Sequence, residues 1–163
     1  MAISKEKKHE IVSSFSDIVS GAESVVFVQF NKLTVLNSNA LRRKLRASDV
    51  GYKVGKKTLL KRVLSEQGYK GELPPLEGEI AVAYSADPLA AAREVYDFQT
   101  AHKGIVSIVG GVFEKGYKNQ SEMMSIATIP PLHTLRGMFV NIINSPIQRF
   151  AIALDQIALT KSK

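Results

Sequence analysis

The run Ser24-Val25-Val26-Phe27-Val28-Gln29-Phe30 decides the architecture: it is β-branched and aromatic, and has the length of a strand. Before it, Ile11, Phe15 and Ile18 recur at helical spacing, with Ser4 placed to cap the helix and Gly21 to stop it. After it, residues 36–48 predict a second helix, with Leu41 and Leu45 inward and Arg42, Arg43 and Arg46 outward. Tyr52-Lys53-Val54 predicts a short strand. A helix from Lys57 to about Gln67 follows, with Leu59, Leu60, Val63 and Leu64 inside.

The pattern continues beyond a loop over residues 70–78, where Gly71, Pro74, Pro75 and Gly78 fall. Glu79-Ile80-Ala81-Val82-Ala83-Tyr84 predicts a third strand. Pro88 fits the first position of a helix reaching about His102, because a missing N–H costs nothing there. Ile105 to Phe113 predicts a fourth strand, broken by Gly110-Gly111. Strands alternating with helices imply a layered α/β (α+β) domain over residues 1–125, with a small mixed sheet flanked by helices. A linker is expected over 126–131 and an extended, kinked helix over 132–163.

Charge is divided unevenly along this plan. The 163 residues carry a formal charge of +7. Residues 1–70 hold 14 Lys and Arg against 6 Asp and Glu, whereas the remainder holds 8 against 9. Nine basic residues fall between positions 42 and 62, with Asp49 the only acid among them. A basic surface of this kind suits a polyanion. Arg42 and Arg46 lie one turn apart, with Arg43 beside them, and Lys57 and Lys61 are spaced likewise. Lys53, Lys56, Thr58 and Arg62 complete the expected RNA-binding set, with the amides opening the third helix available to a phosphate oxygen. Only Tyr52 supplies an aromatic within the cluster, which favours recognition of folded RNA by shape over stacking on unpaired bases.

The tail is of another kind. From Leu132 onward, Leu135, Met138, Phe139, Ile142, Ile143, Ile147, Phe150, Leu154 and Ile157 keep helical spacing, and Arg136, Arg149 and Asp155 are the charges up to residue 160. Asn144-Ser145-Pro146 is expected to end one helical segment and cap the next. Such a stripe, left in water, calls for a protein partner, and two segments suggest two docking sites in series. It lacks the Lys/Arg row of a membrane-surface helix.

Catalytic chemistry finds no support in the residues. Gly51-Tyr52-Lys53-Val54-Gly55-Lys56-Lys57-Thr58 approaches a phosphate-binding loop but has the wrong glycine spacing and an extra lysine before the threonine. His9, His102 and His133 are far apart and cysteine is absent, so no metal site, disulfide or cofactor is expected. No run of eighteen apolar residues spans a membrane, and the start is too polar for a signal peptide. The cytoplasm is the expected location.

Taken in order, several blocks resemble a known family over nearly the whole chain. They are Ser24-Val25-Val26-Phe27 leading to Leu33-Thr34-Val35, Leu41-Arg42-Arg43-Lys44-Leu45-Arg46, Tyr52-Lys53-Val54, and Thr58-Leu59-Leu60-Lys61-Arg62. Ala81-Val82-Ala83-Tyr84-Ser85-Ala86-Asp87-Pro88, Gly110-Gly111-Val112-Phe113-Glu114 and Ile126-Ala127-Thr128-Ile129-Pro130 complete the set. The family is the bacterial large-subunit ribosomal protein ten, the stalk-base protein. The resemblance implies a non-enzymatic N-terminal domain on large-subunit rRNA at the GTPase-associated region, beside ribosomal protein eleven. It also implies a C-terminal helix carrying dimers of the acidic stalk proteins that recruit translational GTPases, and repression of the protein's own messenger RNA. The short tail fits two dimers. The family usually has Lys-Asn-Thr where Lys56-Lys57-Thr58 stand, a bulky apolar residue in place of Gly55, and Gly-Pro-Thr in place of Gly78-Glu79-Ile80. A free-standing RNA-binding regulator or ribosome-assembly factor of the same fold is the alternative, and the apolar tail argues against it.

Overall fold

A computed structural model of the chain describes residues 5–31, 33–102 and 104–161. Their elements run α1 (Lys5–Gly21), β1 (Ser24–Phe30), α2 (Val35–Ala47), β2 (Gly51–Val54), α3 (Lys57–Gln67), β3 (Glu79–Ser85), α4 (Ala90–Ala101), β4 (Val106–Phe113), β5 (Gly116–Asn119), α5 (Gln120–Ala127) and α6 (Leu132–Lys161). Ser4, the expected cap of α1, lies outside the described residues. The chain divides between Ile129 and Pro130 into two compact units.

In the first unit β1 is the middle strand of a five-stranded sheet of order β2-β3-β1-β4-β5. Its alternation explains the place. Val26 and Val28 feed a core shared with Leu41 and Leu45 of α2, Ala91, Val95 and Phe98 of α4, and Met123 of α5. Val25 and Phe27 feed a second core with Phe15 and Val19 of α1 and Leu60, Val63 and Leu64 of α3. The strand is therefore apolar on both faces because both are covered. On β3, Ala81 and Ala83 face the first core and Ile80 and Val82 the second. Ala81 and Ala83 share that first core with Ala90, Ala91 and Ala92 of α4.

The layered α/β arrangement is as expected, but the strand directions are not mixed. Every strand pair in the sheet is antiparallel. The reason lies in the crossovers. Helix α2 carries the chain from β1 to β2 and α4 carries it from β3 to β4, yet each crossover skips one strand, and the skipped strand fills the gap in the opposite direction.

Several boundaries also differ from the sequence expectation. Pro88 precedes α4 in a turn; the Asp87 carboxylate accepts the Leu89 amide at 3.0 Å and the helix opens after Leu89. Strand β4 is not broken at Gly110-Gly111. Its pairing with β1 shifts register between Phe27 and Val28, and the Gln99 side chain accepts the Ile108 amide at 2.9 Å beside the bulge. β5 and α5 had no counterpart in the sequence reading. Helix α5 takes in Ile126 and Ala127 and buries Met123 and Ala127, so the first unit extends past residue 125.

The second unit is α6, 30 residues long and about 45 Å by the rise of a helix. The Leu135 amide donates to the Pro131 carbonyl at 3.0 Å, starting the helix after the Pro130-Pro131 pair. The expected break at Asn144-Ser145-Pro146 is absent: the helix runs on with Pro146 inside it. Proline removes one donor, so the Ile142 carbonyl lacks its usual partner within the helix. None of its residues is buried.

Candidate nucleic-acid interface

The basic residues of the cluster are divided between the two faces of the sheet. Leu41 and Leu45 anchor α2 in the first core, which turns Arg42, Arg43 and Arg46 outward. Leu60, Val63 and Leu64 anchor α3 in the second core, on the opposite face of the sheet, with Lys57, Lys61 and Arg62 exposed. Between them runs β2, paired on one side to β3 and last in the sheet order. Helix α2 packs against β2 on the first face, whereas α3 starts just after β2 ends and its Leu64 carbonyl accepts the Tyr117 hydroxyl of β5, at the other edge of the sheet, at 3.1 Å.

Concavities lie beside these residues. One of about 560 Å³ is lined by Arg42, Arg46, Tyr52, Lys53 and Tyr84. A second, of about 530 Å³, lies along α2 between Arg42, Arg43, Arg46 and Asn39. A third, of about 490 Å³, includes Lys56 and Lys57 with Phe30 and Val54. Lys56 precedes α3 without a side-chain cap, and that helix has no acid in its first turn. The Thr58 hydroxyl is exposed and the helix start suits an anion, although Glu79 lines the same concavity as Lys56 and Lys57.

The cations differ in how free they are. Arg42 sits over the Tyr52 ring, 5.9 Å from its centroid. Burial raises the Tyr52 pKa, against an opposing pull from Arg42, and the Tyr52 hydroxyl is buried without a hydrogen-bond partner. The Lys53 ammonium donates to the Ser14 hydroxyl and lies 4.9 Å from the Phe15 ring centroid, which draws it toward α1. Arg62 pairs with Glu66 at 3.2 Å, an exposed contact worth little. Lys44 lies 3.6 Å from Glu94 and 3.9 Å from Asp97, so it is occupied within the fold.

Two exposed apolar residues beside the cluster escaped the sequence reading. Val35 and Leu36, at the start of α2, are 75% and 82% exposed. The signal was available in part: with Leu41 and Leu45 inward, helical spacing puts Leu36 on the outer side of α2 and Val35 on its flank. Among the described residues no cluster of three or more His, Cys, Asp and Glu side chains is placed to hold a metal, and no helix is long and apolar enough to cross a membrane.

On α6 the expected partner-binding residues Leu135, Met138, Phe139, Ile142, Ile143, Ile147, Phe150, Leu154 and Ile157 are all exposed. The helix presents them without covering any of them.

Residues 3–100 match the family model described as ribosomal protein L10. The chain is 35% identical over 147 residues to large ribosomal subunit protein uL10 of Erythrobacter litoralis, covering 90% of this chain and 85% of that one. It is 34% identical over 148 residues to the protein of that name from Novosphingobium aromaticivorans, covering 90% and 86%. For the one from Gluconacetobacter diazotrophicus the identity is 31% over 153 residues, covering 94% and 84%.

Proposed function

The chain belongs to the ribosomal protein L10 family and is a structural protein of the large ribosomal subunit, and from that premise we propose that it is an adaptor gripping RNA with one unit and protein with the other. The α/β unit binds large-subunit rRNA at the GTPase-associated region, beside ribosomal protein eleven. It does so through Arg42, Arg43, Arg46, Lys53, Lys56, Lys57, Thr58, Lys61 and Arg62. Helix α6 carries two dimers of the acidic stalk proteins that recruit translational GTPases. The protein works in the cytoplasm as part of the ribosome, and with its stalk partners it represses translation of its own messenger RNA.

The observation that carries this reading is the separation of two surfaces. Exposed basic side chains of α2 and α3 belong to one unit, while the other unit is a helix whose large apolar residues are all exposed. Phosphates supply the charge that the first lacks, and a grooved protein supplies the cover that the second lacks. Chemical footprinting of large-subunit rRNA with the purified protein tests the RNA half. Protection confined to the GTPase-associated region is expected; protection spread evenly over the rRNA would contradict it.

A further inference from the structure

The sheet has two outer edges, and they are finished differently. At β5 the chain closes its own edge: the Lys70 amide donates to the Lys115 carbonyl at 3.2 Å, and the Tyr117 amide donates to the Lys70 carbonyl at 2.8 Å. At the other end of the sheet order, β2 pairs with β3 alone among the described residues. In an antiparallel ladder alternate residues turn their N–H and C=O groups away from the partner. Every second residue of Gly51–Val54 therefore directs its backbone groups outward.

A short edge strand carrying a lysine is usually guarded against further pairing. Here the guard is drawn aside. The Lys53 ammonium donates to the Ser14 hydroxyl and lies 4.9 Å from the Phe15 ring centroid, on the side of α1. The concavity of about 560 Å³ takes in all of Gly51–Val54, with Arg42 and Arg46 of α2 from the first face and Tyr84 from the second. The Tyr84 ring lies over Gly51, where a Cβ would collide with it, and so reaches out above the edge strand. Asp49 also lines the concavity, yet against Arg42, Arg46 and Lys53 it leaves the balance positive.

These groups specify an occupant. An extended peptide matches alternating donors and acceptors at strand spacing, whereas phosphate oxygens only accept and leave the outward carbonyls unmet. Side chains of an added strand alternate between the two faces. Those on the α2 side meet two arginines, which suit acids, and those on the other side meet the Tyr84 ring, which suits apolar residues. A second copy of this chain is the poorer fit, because its own β2 brings the same cations.

We infer that the outer edge of β2 is a docking site for an extended acidic peptide, which adds a further strand with acids toward Arg42 and Arg46 and apolar residues toward Tyr84. Both arginines also serve the proposed RNA surface, so peptide and RNA exclude each other.

Hydrogen exchange of the full-length protein with a short synthetic peptide of alternating Glu and Val tests it, the same residues arranged in two blocks being the control. The alternating peptide should slow exchange at the amides of Gly51–Val54 and bind at least about tenfold more tightly than the control. Methylating every second backbone nitrogen of the peptide should weaken it by at least about tenfold in one of the two phases and little in the other. Arg42→Ala with Arg46→Ala should weaken it about fivefold. A fragment of large-subunit rRNA should displace it. Equal binding of the two peptides, no slowing at β2, or peptide and RNA held together overturns the inference. Slowing at β2 that grows with protein concentration in the absence of peptide overturns the choice of occupant. RNA that fails to bind counts against the proposed RNA surface alone, and the peptide result still decides this inference.

Discussion

Phe27 and Phe150 are the same side chain in opposite settings. Phe27 is 0% exposed between the sheet and helices α1 and α3, whereas Phe150 is 67% exposed on α6. The α/β unit spends its apolar residues on itself and leaves charge for a partner. The tail does the reverse, keeping few charges and offering its apolar residues outward. Stability and recognition therefore draw on different residues in the two units, and substitutions should separate them.

The largest expected effect on stability comes from that pair. Phe27→Ala should lower stability by about 3–5 kcal/mol through lost burial and the cavity left behind. Phe150→Ala should change it by no more than about 0.5 kcal/mol, since little is lost from a side chain already in water. Urea denaturation of the two variants makes the comparison; similar shifts would erase the distinction between the units.

Overpacking comes next. A Cβ on Gly55 would collide with the Phe15 ring, which occupies the space that a larger side chain needs. Gly55→Val should cost about 1–3 kcal/mol, recovered in part when Phe15 is shortened to Leu. No recovery would mean that the two positions do not share that space.

Smaller effects are expected at the basic cluster. If about six phosphates are neutralised, log affinity for rRNA should fall against log salt with a slope near −5. Lys57→Ala with Lys61→Ala should flatten the slope by about two while leaving the melting temperature in place. A slope unchanged by both would remove α3 from the interface.

The smallest effects concern tyrosines. Burial raises the pKa of Tyr52, Tyr69 and Tyr117. A raised acid stays protonated in the fold longer than in the unfolded chain. The stability it confers is whole below the unfolded value of about 10 and is lost as pH climbs through the folded one. Ultraviolet titration should show tyrosinate forming later in the native protein than in urea. Tyr52→Phe removes a buried hydroxyl that has no partner, so its effect on stability should run from neutral to a gain of about 1 kcal/mol.

Much of this was legible in the residues, for physical reasons. The run Ser24–Phe30 announces a strand covered on both faces, and Leu41 with Leu45 tells which way the arginines of α2 point. Pairing direction was not legible, because alternating strands and helices are compatible with crossovers that skip a strand. Gly116–Asn119 is too short and polar to signal a strand alone; it exists because it pairs with Gly110–Phe113. Glu114 and Lys115 turn that corner at φ of 50° and 60°, values unfavourable to both, so local preference pointed elsewhere. In the candidate cluster the exposure of Arg42, Arg43 and Arg46 was readable, but the distribution of the cations over two faces of the sheet was not. Neither was the diversion of Lys53 toward Ser14 and Phe15, which depends on a contact 39 residues distant. Pro146 misled in the same way, since a proline signals a break only where the flanking turns do not hold the helix together.

The most direct test of the two-ended account is co-purification of full-length protein and of a form lacking residues 132–163, each followed for large-subunit RNA and for the acidic stalk proteins. The account predicts that the shortened form keeps the RNA and loses the stalk proteins. Loss of RNA with the stalk proteins retained would contradict it.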